Sequence, residues 1–137
     1  MNGKKTIRME VSCYCGSSKS FNQCCGLVHK HQNKAKTAEA LMRSRYSAFV
    51  VANGDYLLMS HYHTSRPIHE ISEIVHWTKS VTWLRLEIHN ATKGNITDTE
   101  GTVEFKAFYK EDGEVEVIHE NSFFKKEKGI WFYVGSA

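Results

Sequence analysis

The chain has 137 residues, 41% of them hydrophobic and 24% charged, with a formal net charge of +3. That balance excludes the disordered and fibrous classes, and a chain of this length can bury about two-thirds of its unfolded surface around one core. No stretch approaches the ~18 apolar residues of a membrane span and no apolar run follows the basic N-terminus, so a cytoplasmic location is expected.

The charge is unevenly placed. Residues 1–36 carry seven bases (Lys4, Lys5, Arg8, Lys19, Lys30, Lys34, Lys36) against the single acid Glu10, whereas the remainder holds eleven bases against fourteen acids. The basic end is also the cysteine end. A basic surface of this kind is a candidate contact for an acidic protein or a ribosome-associated surface. Nucleic acid is the weaker candidate, because only Tyr14 and Phe21 supply aromatic rings for base stacking among those residues.

From Ser12 to Gly26 the sequence has neither helical nor strand period, and all four cysteines of the chain fall here as Cys13, Cys15, Cys24 and Cys25, a C-x-C-x8-C-C spacing. Two close pairs separated by a flexible loop can supply the corners of a tetrahedral zinc site, and four thiolates leave no open position, which points to one structural ion per chain. Unrelated reduced thiols or two disulfides are the alternatives, and His29 or His31 is near enough to replace a cysteine, with Cys25 the first to be replaced.

From Thr37 a helical period begins: Leu41, Arg45 and Phe49 fall on one stripe with Met42, Tyr46 and Val50 beside it. Thr37 can cap this helix and Asn53-Gly54 can end it. A second short helix is expected after an Asp55 cap, carrying Tyr56 to about His61. Pro67 breaks it, and a third piece is expected from His69 to Trp77.

After Ser80 the period becomes two. A strand is expected from Val81 to about His89. Val103, Phe105, Ala107 and Tyr109 then alternate with polar residues, and Val115, Val117, His119, Asn121 and Phe123 form a second alternating set. Glu111-Asp112-Gly113 and Lys128-Gly129 supply hairpin turns, and Gly94 to Gly101 a longer connection. The fold class is therefore α+β: about three helices packed on a curved four-stranded antiparallel sheet, with a zinc-binding module at residues 1–35 and the α+β domain at 36–137.

A sheet curved over helices encloses space between them. Arg45 lies on the apolar helical stripe and His119 shares parity with Val115 and Val117, so both are candidate pocket groups, with Tyr46, Tyr56, Tyr109 and Trp131 as aromatic lining. Arg45 would anchor a small anion and His119 would act as acid or base if the pocket were catalytic. The competing interpretation is a polar network that fixes helix against sheet. No nucleophile–base pair is legible, so a non-enzymatic binding or adaptor protein is the leading expectation and a small-molecule enzyme the alternative.

The segment Cys13-x-Cys15-Gly16-Ser17 through Lys19 to Cys24-Cys25-Gly26 resembles the SEC-C motif, a short zinc module. The stretch Thr37-Ala38-Glu39-Ala40-Leu41-Met42-Arg43-Ser44-Arg45-Tyr46-Ser47-Ala48-Phe49, with Asp55-Tyr56-Leu57, Arg66-Pro67, Gly101-x-Val103-x-Phe105-x-Ala107-x-Tyr109, His119-Glu120-x-Ser122-x-Phe124 and Trp131-x-Tyr133-Val134, looks like the bacterial YchJ-like family. That resemblance implies a SEC-C zinc module followed by a nuclear-transport-factor-2-like cone.

Overall fold

The computed structural model describes residues 11–137; Lys4, Lys5 and Arg8 of the basic end lie outside the described residues. Four helices, α1 (Cys25–Lys30), α2 (Ala38–Val50), α3 (Gly54–Met59) and α4 (Ile71–Ser80), precede four strands, β1 (Thr82–Lys93), β2 (Glu100–Glu111), β3 (Glu114–Glu127) and β4 (Ile130–Ser136). The strands form one antiparallel meander in the order β1-β2-β3-β4.

Local chemistry sets the helix boundaries. Thr37 Oγ1 accepts a hydrogen bond from the Ala40 amide at 3.0 Å and caps α2 as its sequence position suggests. α2 stops at Val50, where Ala52 turns to φ 57° and the Asn53 amide reaches back to the Ala48 carbonyl at 2.8 Å. The cap of α3 is Asn53 rather than Asp55: its Oδ1 accepts from the Tyr56 amide at 3.0 Å, which leaves Asp55 in the first turn, where a carboxylate still favours the helix N-terminus. The third expected helix is shifted, beginning at Ile71 and continuing to Ser80.

Both predicted hairpins are two-residue turns with consecutive positive φ values, Asp112 and Gly113 between β2 and β3, Lys128 and Gly129 between β3 and β4. That is the turn twist that matches twisted strands. Register shifts at Trp83/Arg85 and Ile88/Asn90 on β1, and at Phe123/Phe124 between β3 and β4, bend the sheet into a concave face. The start of α2 is pinned to this sheet by the Ala38 amide donating to the Gly94 carbonyl at 3.0 Å. Gly94 itself, at φ +77°, sits so close that an added Cβ would lie 2.7 Å from the Ala38 Cβ.

The core lies between α2, α3 and the concave face: Leu41, Ala48, Tyr56, Leu57, Val103, Ala107, Phe124 and Trp131 are all at most 3% exposed. Burying each large apolar side chain of this set stabilises the fold by about 1.5–3 kcal/mol. Val28 of α1 joins the same cluster. The cysteine segment is thus packed onto the α+β core: Trp131 Nε1 donates to the Lys36 carbonyl at 3.2 Å and Gln32 Nε2 to the Trp131 carbonyl at 2.9 Å. Among the described residues, no helix is long and apolar enough to cross a membrane.

Candidate functional site

The cysteine segment is held by its own backbone before any metal is considered. The Cys13 amide donates to the Lys19 carbonyl at 2.8 Å, the Gly16 amide to the Cys13 carbonyl at 3.2 Å, and Gly16 takes φ +86° to close the turn. A 3-10 turn at Phe21–Gln23 then delivers Cys24 and Cys25 to the start of α1. Phe21 packs so tightly on Gly26 that an added Cβ there would meet its carbonyl oxygen at 2.7 Å. The four Sγ atoms converge to within 4.8 Å of one another.

The donor set fits a metal ion. A tetrahedron with zinc–sulfur bonds of ~2.3 Å has edges of about 3.8 Å, and Cys15 Sγ and Cys24 Sγ are 3.7 Å apart. Cys13, Cys15 and Cys25 are buried and Cys24 is half-buried. Cys15 is lowered, chiefly because Cys25 donates its S–H to it, against the burial that raises it and with further help from Ser17. Cys25 is pushed up as the donor of that bond and by burial, and Cys24 is pushed up by burial.

The surroundings of the cluster belong to α2. Arg43 Nη1 donates to the Cys15 carbonyl at 2.6 Å while its Nε pairs with Glu39 at 2.9 Å, and Cys13 Sγ lies 3.7 Å from Ser47 Oγ. Ser17 Oγ donates to Cys24 Sγ at 3.1 Å. His29, weighed as a replacement ligand, instead places Nε2 2.8 Å from the Ser44 carbonyl and its ring 4.5 Å from that of Tyr56, where burial lowers its pKa. His31 is exposed.

On the opposite side of α2, a cavity of about 180 Å³ opens between the helix and the concave sheet. Its walls are mostly apolar, with Phe49, Trp83, Phe105 and Ile118 among them, and its polar corner is made by Arg45, Glu120, Ser122 and Tyr133. Arg45 Nη1 donates to the Leu57 carbonyl at 2.9 Å and to Ser60 Oγ at 2.7 Å, and its guanidinium lies 4.5 Å over the Tyr133 ring. Depth inside the protein lowers its pKa to about 10. Glu120 Oε2 accepts from Tyr133 Oη at 2.8 Å and from Ser122 Oγ at 2.7 Å. Burial and the neighbouring Glu120 charge push the Tyr133 phenol up.

Of the residues expected here, Arg45 and Tyr46 line the cavity, and burial pushes the Tyr46 phenol up to about 12. Tyr56 is buried in the core instead, its hydroxyl 2.6 Å from Ser44 Oγ, and Trp131 is likewise core, tied to Lys36. Tyr109 packs edge-on to Trp77 at 5.3 Å and lies outside the cavity lining. His119 corrects the sequence expectation outright. It stands on the outer face of the sheet, its side chain 50% exposed, with Nε2 2.7 Å from Glu104. Val115 and Val117, 59% and 48% exposed, stand on the same outer face as His119 in an unbroken register with β2, so apolar identity at these positions does not mark the core side. The inward stripe is Ile118, Glu120, Ser122 and Phe124. Of the polar corner, sequence reasoning misses Glu120, Ser122 and Tyr133; for the first two the available signal is a pair of polar side chains at the parity of the buried Phe124.

Comparison with known proteins agrees with this architecture. Residues 37–136 match the family model for YchJ, middle NTF2-like domain. A UPF0225 protein of Vibrio parahaemolyticus is 40% identical over 126 residues, covering 92% of this chain and 74% of the relative. One from Chromobacterium violaceum is 39% identical over 138 residues, covering 98% and 96%. The solution structure of a SEC-C motif containing protein from Rhodopseudomonas palustris is similar with a TM-score of 0.81 and 30% identity, covering 93% of this chain and 98% of that one. The crystal structure of a SEC-C motif containing protein from Psychrobacter arcticus is similar with a TM-score of 0.76 and 27% identity, covering 92% and 80%. With the cysteine cluster preceding the matched domain, the chain belongs to the UPF0225 family, built on the YchJ middle NTF2-like domain.

Proposed function

We propose that this protein is a zinc-stabilised binding protein, in which Cys13, Cys15, Cys24 and Cys25 hold one structural zinc and the cone takes up a small molecule. The observation that carries the reading is the open, largely apolar cavity with a single polar corner, the usual make-up of a ligand site. Zinc supports it from the far side of α2. Four thiolates complete its coordination, so its contribution is to fix the N-terminal segment rather than to activate water. That segment braces the helix that carries Arg45, through Arg43 on the Cys15 carbonyl and Ser47 beside Cys13.

The cavity's polar groups suit holding better than turnover. Glu120 is engaged with two hydroxyls, Arg45 is tied to α3, and His119, the acid–base group expected from sequence, is on the other face of the sheet. A second reading, an adaptor contact with an acidic protein or ribosome-associated surface, is supported by the exposed Lys19, Lys30, Lys34 and Lys36 around the cysteine segment. The two are separable by where binding occurs. A fragment library screened by NMR against the zinc-replete chain should shift resonances of Tyr46, Ser122 and Tyr133 and leave the lysine-bearing segment unmoved. Failure of every fragment to move the cavity residues would overturn the binding reading.

A further inference from the structure

We propose that the cone cavity selects an uncharged ring compound whose polar edge offers an acceptor to Arg45 and a donor to Glu120, an aromatic carboxamide being the simplest member of the class. The inference rests on the binding reading above and specifies its ligand.

The polar corner keeps hydrogen-bonding capacity that its protein partners do not use. A guanidinium has five N–H donors, and the described hydrogen bonds of Arg45 engage one nitrogen, Nη1, with Leu57 and Ser60. Glu120 receives both of its hydroxyl partners on Oε2, which leaves Oε1 as an acceptor at the cavity wall. No ion pair joins Arg45 to Glu120 among the described residues, so the two have not neutralised each other by contact. The cavity therefore offers unspent donors and an unspent acceptor on one side, facing Phe49, Trp83 and Phe105 on the other.

Charge then decides which ligand fits. Arg45 and Glu120 are the oppositely charged pair in the lining, so the empty cavity carries no net charge. A carboxylate would gain Arg45 but stand against Glu120, and an ammonium would gain Glu120 but stand against Arg45; in a low-dielectric enclosure like charges a few ångströms apart are strongly unfavourable. A neutral group that is acceptor at one end and donor at the other satisfies both partners and leaves neither buried and unpaired. The aromatic walls suit a planar ring. At about 180 Å³ the space admits a single ring with a short substituent.

The test uses four single-ring probes that differ in the polar group: benzamide, benzoate, benzylamine and toluene, each titrated into the full zinc-replete chain and followed by NMR. Benzamide should shift Glu120, Ser122 and Tyr133 and bind about tenfold or more tighter than each of the others. In Glu120→Gln, benzoate should gain about tenfold, because the repelling charge is gone while an amide oxygen still accepts a hydroxyl. Benzoate matching benzamide in the wild-type chain, toluene matching it, or a preference unchanged by Glu120→Gln would each overturn the selectivity and leave binding itself intact. Should none of the four occupy the cavity, the binding reading falls with it. The wild-type ranking alone tests the idea if the variant does not fold.

Discussion

Arg45→Ala measures how far the cavity wall is also a structural tie. The guanidinium gives charge-assisted hydrogen bonds to the Leu57 carbonyl at 2.9 Å and Ser60 Oγ at 2.7 Å, and stacks 4.5 Å over Tyr133. Two such bonds are worth about 1.5–3 kcal/mol each and the stacking about 0.5–2. Against this stands the cost of holding the cation inside the protein, the same cost that lowers its pKa to about 10. Ser60 keeps its bond to the Tyr56 carbonyl, so Leu57 is the group left without a partner. The net expected loss is about 2–4 kcal/mol, or roughly 10 °C in Tm for a chain of this size. Urea denaturation of zinc-loaded wild type and variant, at one fixed free-zinc concentration, reads the difference. Arg45→Lys should recover part of it by reaching one of the two acceptors. An Arg45→Ala variant within ~0.5 kcal/mol of wild type at unchanged slope would refute the reasoning and make Arg45 a group that serves only the cavity.

Cys24→Ser should take zinc content from about one per chain to near zero by metal analysis, and the resonance changes should reach Ser44 and Ser47 on α2; changes confined to residues 11–35 would instead support an independent module. His119→Ala should alter stability by less than ~0.5 kcal/mol, as for other exposed ion pairs, and a loss above ~1 kcal/mol would contradict its outer-face position. His61 is lowered from 6.5 to about 4, by burial first and then by the charges of Arg45 and Arg66. Between those values the unfolded chain binds a proton that the folded ring refuses, so stability falls as pH drops from 6.5 towards 4. His61→Gln should flatten that part of the pH–stability curve, and an unchanged slope would assign the acid sensitivity to other groups.

The elements that sequence reading located best were those whose signals are local. Thr37 caps its helix, Asp112-Gly113 and Lys128-Gly129 close their hairpins, and Val103, Phe105 and Ala107 alternate inward along β2, all three buried. The spacing of the four cysteines was equally informative, because convergence of their sulfurs needs only a turn at Gly16 and a short loop. What failed on β3 was the inference of face from hydrophobicity. A period of two says that two faces differ without saying which is inside, and Val115 and Val117 are apolar residues on the outer face, exposed beside His119. Cavity walls worsen the problem, since Glu120 and Ser122 occupy core-facing positions that pattern reading reserves for apolar residues. Arg43 shows a related limit. Two positions from Arg45 on α2, it points elsewhere, but nothing in the sequence says that one would reach the Cys15 carbonyl and the other α3.

Those two arginines make α2 a lever with a load at each side. If zinc on the cysteines and a molecule in the cavity both favour the same position of this helix, the part of each binding free energy that depends on that position is shared, and each raises the affinity of the other by the same factor. Metal supply would then tune uptake of a molecule that never touches the ion, and the tuning would weaken if the Arg43 contact to Cys15 were cut, with Ser47 beside Cys13 left as the remaining tie.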